Sequence, residues 1–182
     1  TRGIALLESA RFGRVYPTKE FPLSAFRADG LLVNYEDRAE YLLPSGEWER
    51  RPRAFAQVPT RHGLASGYWA KLKVGDKEFQ LHGSSVAIIT ELPDGGLLAT
   101  AGERLYRVDV ASGEIERIAE PQGEVTGLAV VGDTVWAATV SGELLRSPAT
   151  GPLAFAKVAS LPRSTASSLH RFGDTLIVAN SE

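Results

Sequence analysis

Three histidines are the side chains of this sequence with the clearest capacity for metal or ligand chemistry. They are His62, His82 and His170. Three imidazoles that converge on one point could bind Zn²⁺ or a similar ion. No two of them have the short spacing of a local metal-binding motif, however. We therefore predict no metal, no cofactor and no catalytic residue, and we expect these histidines to lie scattered at the surface or at the rim of a central channel.

Polar residues beside predicted strands suggest a binding site for a small ligand. The segment 163–168 is rich in Ser and Thr, and a shorter one contains Ser84. Hydroxyls next to an arginine can hydrogen-bond a sugar or an anion, although they also satisfy backbone groups where strands bend into loops. We expect both segments to lie with Arg61 around one mouth of a central channel. The candidate ligand-binding residues are Arg61, His62, His82, Arg163, Ser167 and His170.

Aromatic and basic residues give a different kind of candidate, a contact surface for a partner protein. Lys71 and Lys73 follow Trp69 at alternating positions, and Trp48 lies in another repeat. Aromatic side chains are favoured at protein interfaces when they are exposed, and they pack in the core when they are not. Lysines on one strand face are commonly only solvated, so we expect no nucleic acid partner.

Composition excludes several classes of protein. The formal net charge is −2, and 43% of the residues are hydrophobic, as in an ordinary globular protein. No apolar run approaches the roughly 20 residues that span a bilayer, and the first residues do not resemble a signal peptide. The chain lacks cysteine. We expect a soluble protein, cytoplasmic or virion-associated. Asn and Gln total only 5, and this scarcity of thermolabile side chains suggests thermostability. The excess of Arg over Lys fits a GC-rich genome equally well.

Internal repeats determine the predicted architecture. Ser-Gly-Glu followed by an apolar residue, Glu and Arg occurs at Ser45 and again at Ser112. Short alternating strands around Gly/Asp turns recur at intervals of about 40 residues, which is typical of propeller blades. We therefore predict an all-β fold, a small β-propeller with few helices. Its five blades would span 22–56, 57–84, 85–121, 122–162, and 163–182 completed by 1–21.

Two features of this prediction concern the ring. A hairpin is clear in 57–84 but a fourth strand is hard to place, so this blade is expected to be short, and the alternative is four blades with that stretch as an insertion. The segments SSLHRFG and TLIVANS near the C-terminus supply only two of the four strands of a blade. We expect the strands at 3–9 and 13–21 to complete it and close the ring, which also removes exposed strand edges.

Several blades resemble known propeller repeats. The segment 141–155 resembles the Asp-box of sialidase-like propellers through Ser147, Gly151 and Phe155, with Ala149 at the position of the family Asp. GDTVWAATVSGELLRS is similar to blades of two-component-regulator propellers, and RLYRVDVASGEIERI to those of the YVTN type. These resemblances imply a β-propeller repeat protein. They carry no function across, because unrelated propellers share such phrases.

Three hypotheses of function follow from these patterns. The first is a non-catalytic interaction or scaffold module, a structural subunit of a larger assembly such as a virion, a tail or a multiprotein complex. The second is a propeller that binds a small ligand or a glycan. The third is a hydrolase or lyase with its site at the channel mouth. An apolar patch around Trp48 or Trp69 would favour the first hypothesis, and an open polar pocket near Arg163 and His170 the other two.

Overall fold

The protein is represented by a computed structural model. It describes residues 3–8, 11–17, 24–27, 31–34, 38–42, 45–51, 54–119, 121, 123–161, 168–172 and 174–179. Before residue 38, and at Arg51 and Phe172, the description covers the backbone alone. The chain divides into two compact units, Thr1–Ala54 and Phe55–Glu182.

The first unit contains a hairpin and a four-stranded sheet. The hairpin pairs β1 (Gly3–Glu8) with β2 (Arg11–Pro17). The sheet, sheet I, contains β3 (Ser24–Arg27), β4 (Leu31–Asn34), β5 (Ala39–Leu42) and β6 (Trp48–Arg51), antiparallel and in chain order. Ala39 and Tyr41 are buried, whereas Glu40 on the other face of β5 pairs with Arg38 at 3.0 Å. This alternation is the strand periodicity that the sequence predicted.

The second unit contains three four-stranded antiparallel sheets and a hairpin. Sheet II is β7 (Ala56–Thr60), β8 (Gly63–Gly67), β9 (Trp69–Val74) and β10 (Lys77–Ser85). Sheet III is β11 (Ile89–Glu91), β12 (Leu97–Ala101), β13 (Arg104–Val108) and β14 (Ile115–Ile118). Sheet IV is β15 (Val125–Val131), β16 (Thr134–Thr139), β17 (Glu143–Pro148) and β18 (Ala156–Ser160). The hairpin pairs β19 (Ser168–Phe172) with β20 (Thr175–Ala179).

The core of the second unit lies between neighbouring sheets. Tyr106 and Val108 on one face of β13 join a buried cluster with sheet II, whereas Leu105 on the other face joins a cluster with sheet IV. A third cluster connects sheet IV with the β19–β20 hairpin and includes the partly buried Trp136. The first strands β7, β11, β15 and β19 lie side by side in chain order. Each middle sheet is therefore buried on both faces, as in stacked blades.

Sheet II differs from the sequence-based expectation for 57–84. That stretch was expected to form a short blade with one clear hairpin and no obvious fourth strand, whereas it contributes to four paired strands. The additional strands were hard to recognise because AQVPT and GLASG contain Pro and Gly, which weaken a strand pattern. Near its end β10 bulges: Gln80 pairs with Lys71 and Ser85 pairs with Trp69, so residues 81–84 loop out.

The repeated Ser-Gly-Glu motif forms the same turn in two sheets. Ser45 and Gly46 connect β5 to β6, and Ser112 and Gly113 connect β13 to β14. Gly46 and Gly113 have φ angles of 89° and 85°, a left-handed conformation that glycine adopts at little cost. The sequence repeat thus corresponds to a structural repeat at the third turn of sheets I and III.

No helix occurs in the described part of the chain, as the strand pattern predicted. It follows that none of these residues belongs to a helix long and apolar enough to cross a membrane.

Candidate functional sites

An open cavity of about 610 Å³ lies where the first strands of sheets III and IV and of the β19–β20 hairpin end. We call it the rim cavity. Its floor is apolar and includes Leu92, Leu128 and Leu169, all buried. Its rim carries Arg61, Glu91, Asp133, His170 and Arg171. An apolar floor with a few polar groups at the edge is the usual composition of a ligand pocket.

Most of the described hydrogen bonds of the Arg61 side chain connect sheet II to sheet III. It lies in the turn that follows β7, and its Nε donates to Glu91 Oε1 at 2.8 Å. Its Nη2 donates to the Pro93 carbonyl at 2.9 Å. The side chain therefore ties the first turn of sheet II to that of sheet III, and only part of it faces the rim cavity.

The three histidines occupy three different environments. His62 lies in the same turn as Arg61, and its Nε2 is 3.1 Å from the Gly95 carbonyl. His170 is exposed on β19 and lines the rim cavity, with Nε2 3.0 Å from Ser168 Oγ. His82 is exposed in the bulge of β10, on the outer strand of sheet II. Of the three, His170 lines the rim cavity.

The predicted ligand site also included Arg163 and Ser167, which lie outside the described residues. Among those described, no three or more His, Asp or Glu residues are arranged to hold a metal ion. Ser84 was expected beside Arg61 at one mouth, but it lines a second cavity that does not include Arg61. The reason is strand direction: Ser84 precedes a first strand, whereas Arg61 follows one, so the two residues lie at opposite strand ends.

The second cavity, which we call the outer cavity, has a volume of about 640 Å³. It is bounded by the bulge of β10, the turn between β12 and β13, and the end of β14 with the loop that follows. Its charged lining residues are Glu103, Arg104 and Arg117. Sequence analysis did not identify this site. The available signal was the alternation along β13 and β14, which places both arginines on the face of Tyr106.

Trp69 is the most exposed of the large hydrophobic residues in the described part of the chain, at 69% of its surface. Its indole meets the ring of Phe55 edge to face, with 5.0 Å between centroids. Lys71 and Lys73 follow on the same strand, both exposed. Lys71 pairs with Glu78 at 2.7 Å, while Lys73 makes no ion pair to any described residue. We call Trp69, Lys71 and Lys73 the Trp69 surface.

The backbone next to Trp69 has an uncommon conformation. Ala70 has a φ of 51°, and it lies opposite the bulge of β10. A left-handed alanine costs of order 1–3 kcal/mol and persists only where surrounding contacts enforce it. Here the Gln80 amide donates to the Ala70 carbonyl at 3.0 Å.

In the other unit, Trp48 on β6 is 41% exposed.

The fold is that of an all-β propeller, and comparison with solved structures supports this class. The WD40 β-propeller domain of Doa1 superposes with a TM-score of 0.72 at 12% identity, covering 91% of this chain and 62% of that one. The WD40 domain of Pan2 from Neurospora crassa gives 0.64 at 13% identity, covering 87% and 58%. BBS1N, solved in complex with ARL6DN, gives 0.65 at 16% identity, covering 96% and 65%.

The chain therefore spans less than two thirds of the length of each of these propellers. No family model matches the sequence, and no curated protein matches it significantly. At such low identities the likeness concerns the fold alone.

Proposed function

We propose that the protein is a non-catalytic interaction module that contacts a partner protein through the Trp69 surface. The observation that carries the proposal is the exposure of Trp69, at 69%, in a unit whose other large aromatic residues include the buried Phe79, Tyr106 and Phe155. A tryptophan that lies largely outside the core and is oriented by an edge-to-face contact with Phe55 has the properties of an interface anchor.

The surroundings of Trp69 fit a protein interface. A typical interface has an aromatic centre and a polar rim. Lys71, Glu78 and Lys73 provide exposed charged groups of both signs on β9, the strand that Trp69 begins, and on its neighbour β10. Such exposed charges add little affinity, but they select and orient the partner. The propeller fold agrees with this role, since BBS1N was solved in a complex with ARL6DN.

The test is recovery of a partner with matched variants. Trp69→Ala removes the anchor, and Val158→Ala is a control because Val158 is also exposed, on β18 of another sheet. We expect tagged wild-type protein and the control to recover the same partner from extract of the source organism, and Trp69→Ala to lose it. Equal recovery by Trp69→Ala, with an unchanged melting temperature, would contradict the proposal.

The proposed module would act as a subunit of a larger assembly. Native mass, measured by size exclusion with light scattering, tests this part. We expect the protein in source extract to elute with a particle much larger than 19.6 kDa. Elution as a 19.6 kDa monomer in extract as well as alone would argue against membership of an assembly.

A second candidate function is binding of a small ligand in the rim cavity. It is favoured by the position of His170 and Asp133 above the apolar floor. Thr90→Trp would fill this cavity from β11, and Glu116→Trp on the exposed face of β14 is the control. Binding of a sugar or anion that is blocked by Thr90→Trp alone would support this function.

The proposal includes a five-bladed closed ring. Sheets I to IV have four strands each, whereas the β1–β2 and β19–β20 hairpins have two each. Ser9 and Gly13 repeat the spacing of Ser147 and Gly151, which mark the turn after β17. Along β20, exposed Ile177 lies between two partly buried residues, a pattern suited to a strand with another blade on one side. We infer that β1 pairs with β20 and that the two hairpins form the fifth blade.

A further inference from the structure

The outer cavity combines two arginine side chains with few partners in the rest of the molecule. Arg104 Nη1 donates to the His82 carbonyl at 2.9 Å. This is the only hydrogen bond of that side chain to a described residue, so most of its five N–H donors are open. Arg117 is exposed and makes no hydrogen bond or ion pair within the described part of the chain. Apart from the bond to the His82 carbonyl, the cavity therefore offers guanidinium N–H groups that donate to no described residue.

The strand register brings the two arginines to the same side of sheet III. Tyr106 on β13 is paired with Arg117 on β14. Arg104 is two residues before Tyr106, so it shares the face of Tyr106 and is a diagonal neighbour of Arg117. Diagonal positions lie about 7–8 Å apart at the backbone. Two long side chains at that separation can reach one oxyanion between them.

The remaining lining residues suit an anion of small size. Ser84 provides a hydroxyl next to the turn at Gly102, where a Cβ would lie 2.8 Å from Ser84 Oγ. Gly83 packs so closely on sheet III that a Cβ there would lie 2.1 Å from the Ala101 carbonyl oxygen. This side of the cavity is therefore formed by backbone atoms and by the Ser84 hydroxyl. Glu103 is the one described carboxylate in the lining, and it is not ion-paired to either arginine or to any other described residue.

We propose that the outer cavity binds a phosphate group through Arg104, Arg117 and Ser84. Arginine forms two parallel hydrogen bonds to phosphate oxygens, a geometry that lysine cannot reproduce. Among the described lining residues two arginines outweigh Glu103, so the cavity favours a ligand of charge −1 or −2. The inference does not depend on the Trp69 surface, because the two sites share no residue.

The experiment is calorimetric titration of the full chain with inorganic phosphate, with sodium chloride of equal ionic strength as the blank. Arg117→Gln removes one guanidinium from an exposed position, and Arg146→Gln is the control from the exposed face of β17. We expect saturable binding by the wild type and by Arg146→Gln. Arg117→Gln should bind at least about tenfold more weakly, since hydrogen bonds to charged groups are the strong ones.

Two further arms distinguish the source of the phosphate and the role of geometry. Titration with O-phosphoserine distinguishes the two sources. If the natural ligand is a phosphate ester, O-phosphoserine should bind more tightly than inorganic phosphate. If it is free phosphate, inorganic phosphate should bind at least as tightly as O-phosphoserine. Arg117→Lys keeps the charge but loses the planar fork, so intermediate affinity is expected. Absence of saturable binding, or equal affinity in wild type and Arg117→Gln, would overturn the proposal.

Discussion

The ring of Phe55 meets the indole of Trp69 edge to face, with centroids 5.0 Å apart and planes inclined at 83°. Phe55 immediately precedes β7 and Trp69 begins β9, so the contact joins the two ends of a β7–β8 hairpin segment. Its effect is to hold a largely exposed tryptophan in one orientation. An anchor with fewer rotamers loses less entropy when a partner binds.

The first prediction concerns the coupling energy between these two rings. We expect a double-mutant cycle with Phe55→Leu and Trp69→Leu to give a coupling energy of about 0.5–1.5 kcal/mol, the range of aromatic pairs. Urea unfolding of the four proteins measures it. A coupling indistinguishable from zero would mean that the rings do not orient each other in solution.

Ring closure gives the second prediction, which uses the absence of cysteine from this chain. In sheet IV, Trp136 is paired with Arg146. The repeat spacing places Ile177 and Glu8 at the corresponding positions of the proposed fifth blade. We expect Ile177→Cys/Glu8→Cys to be joined within one chain by a short bismaleimide cross-linker.

The cross-linked products of that variant identify the alternatives. Each single-cysteine variant controls for random collision between molecules. Dimers in the double variant, beyond the single-cysteine background, would show that hairpins are exchanged between copies. Failure to cross-link at all would contradict the closed ring.

The third prediction concerns a link between sheets III and IV. Arg107 donates through Nη2 to Asp94 of its own sheet and through Nη1 to the Gly151 carbonyl at 2.9 Å. Because the pair is partly exposed, we expect Arg107→Gln to lower the free energy of unfolding by only about 1 kcal/mol. Arg117→Gln, which breaks no such contact, should cost less than about 0.5 kcal/mol. Equal urea midpoints for the Arg107→Gln and Arg117→Gln variants would show that the Arg107 link does not contribute to stability.

The fourth prediction is a pH dependence at Asp109. Backbone N–H groups of Ser112 and Ala111 donate to its carboxylate, which lowers the pKa of Asp109 from its ordinary value of 3.8. Because the pKa of Asp109 is lower in the folded protein than in the unfolded chain, its carboxylate contributes to stability when the pH is above the unfolded pKa. This contribution is lost as the pH falls through the lower, folded value.

The variant Asp109→Asn isolates that charge, because the amide oxygen still accepts hydrogen bonds. We expect the wild type to be the more stable of the two at pH 7, and the difference to shrink in acid below about pH 3.8. Urea midpoints of both proteins at pH 7 and pH 3 measure this. A difference that is independent of pH would show that the carboxylate charge contributes nothing.

The strands of sheets III and IV were the most predictable part of the molecule. RLYRVDV alternates cleanly, and its residues fall on two buried faces because a blade is covered by a neighbour on each side. Sheet II was less predictable. Its Pro59 and Gly67 obscure the strand pattern, and the pairing of β7 to β10 depends on contacts between segments rather than on local propensity.

The candidate sites were predicted less well than the strands. His170 and Arg61 line the rim cavity, whereas Ser84 lines the outer cavity, because a residue before a first strand and a residue after one occupy opposite ends. Arg104 and Arg117 were not recognised at all. They are 13 positions apart in the chain, and only the register of β13 with β14 makes them neighbours.

By itself the sequence determined the class of fold and most of the strand boundaries, because repeats, alternation and turn residues are local signals. Tertiary structure decided which side chains remain exposed and which meet. The bulge of β10, the left-handed Ala70 and the exposed Trp69 result from packing between segments. Such arrangements depend on the balance of contacts across neighbouring strands and sheets, which no local pattern of residues specifies.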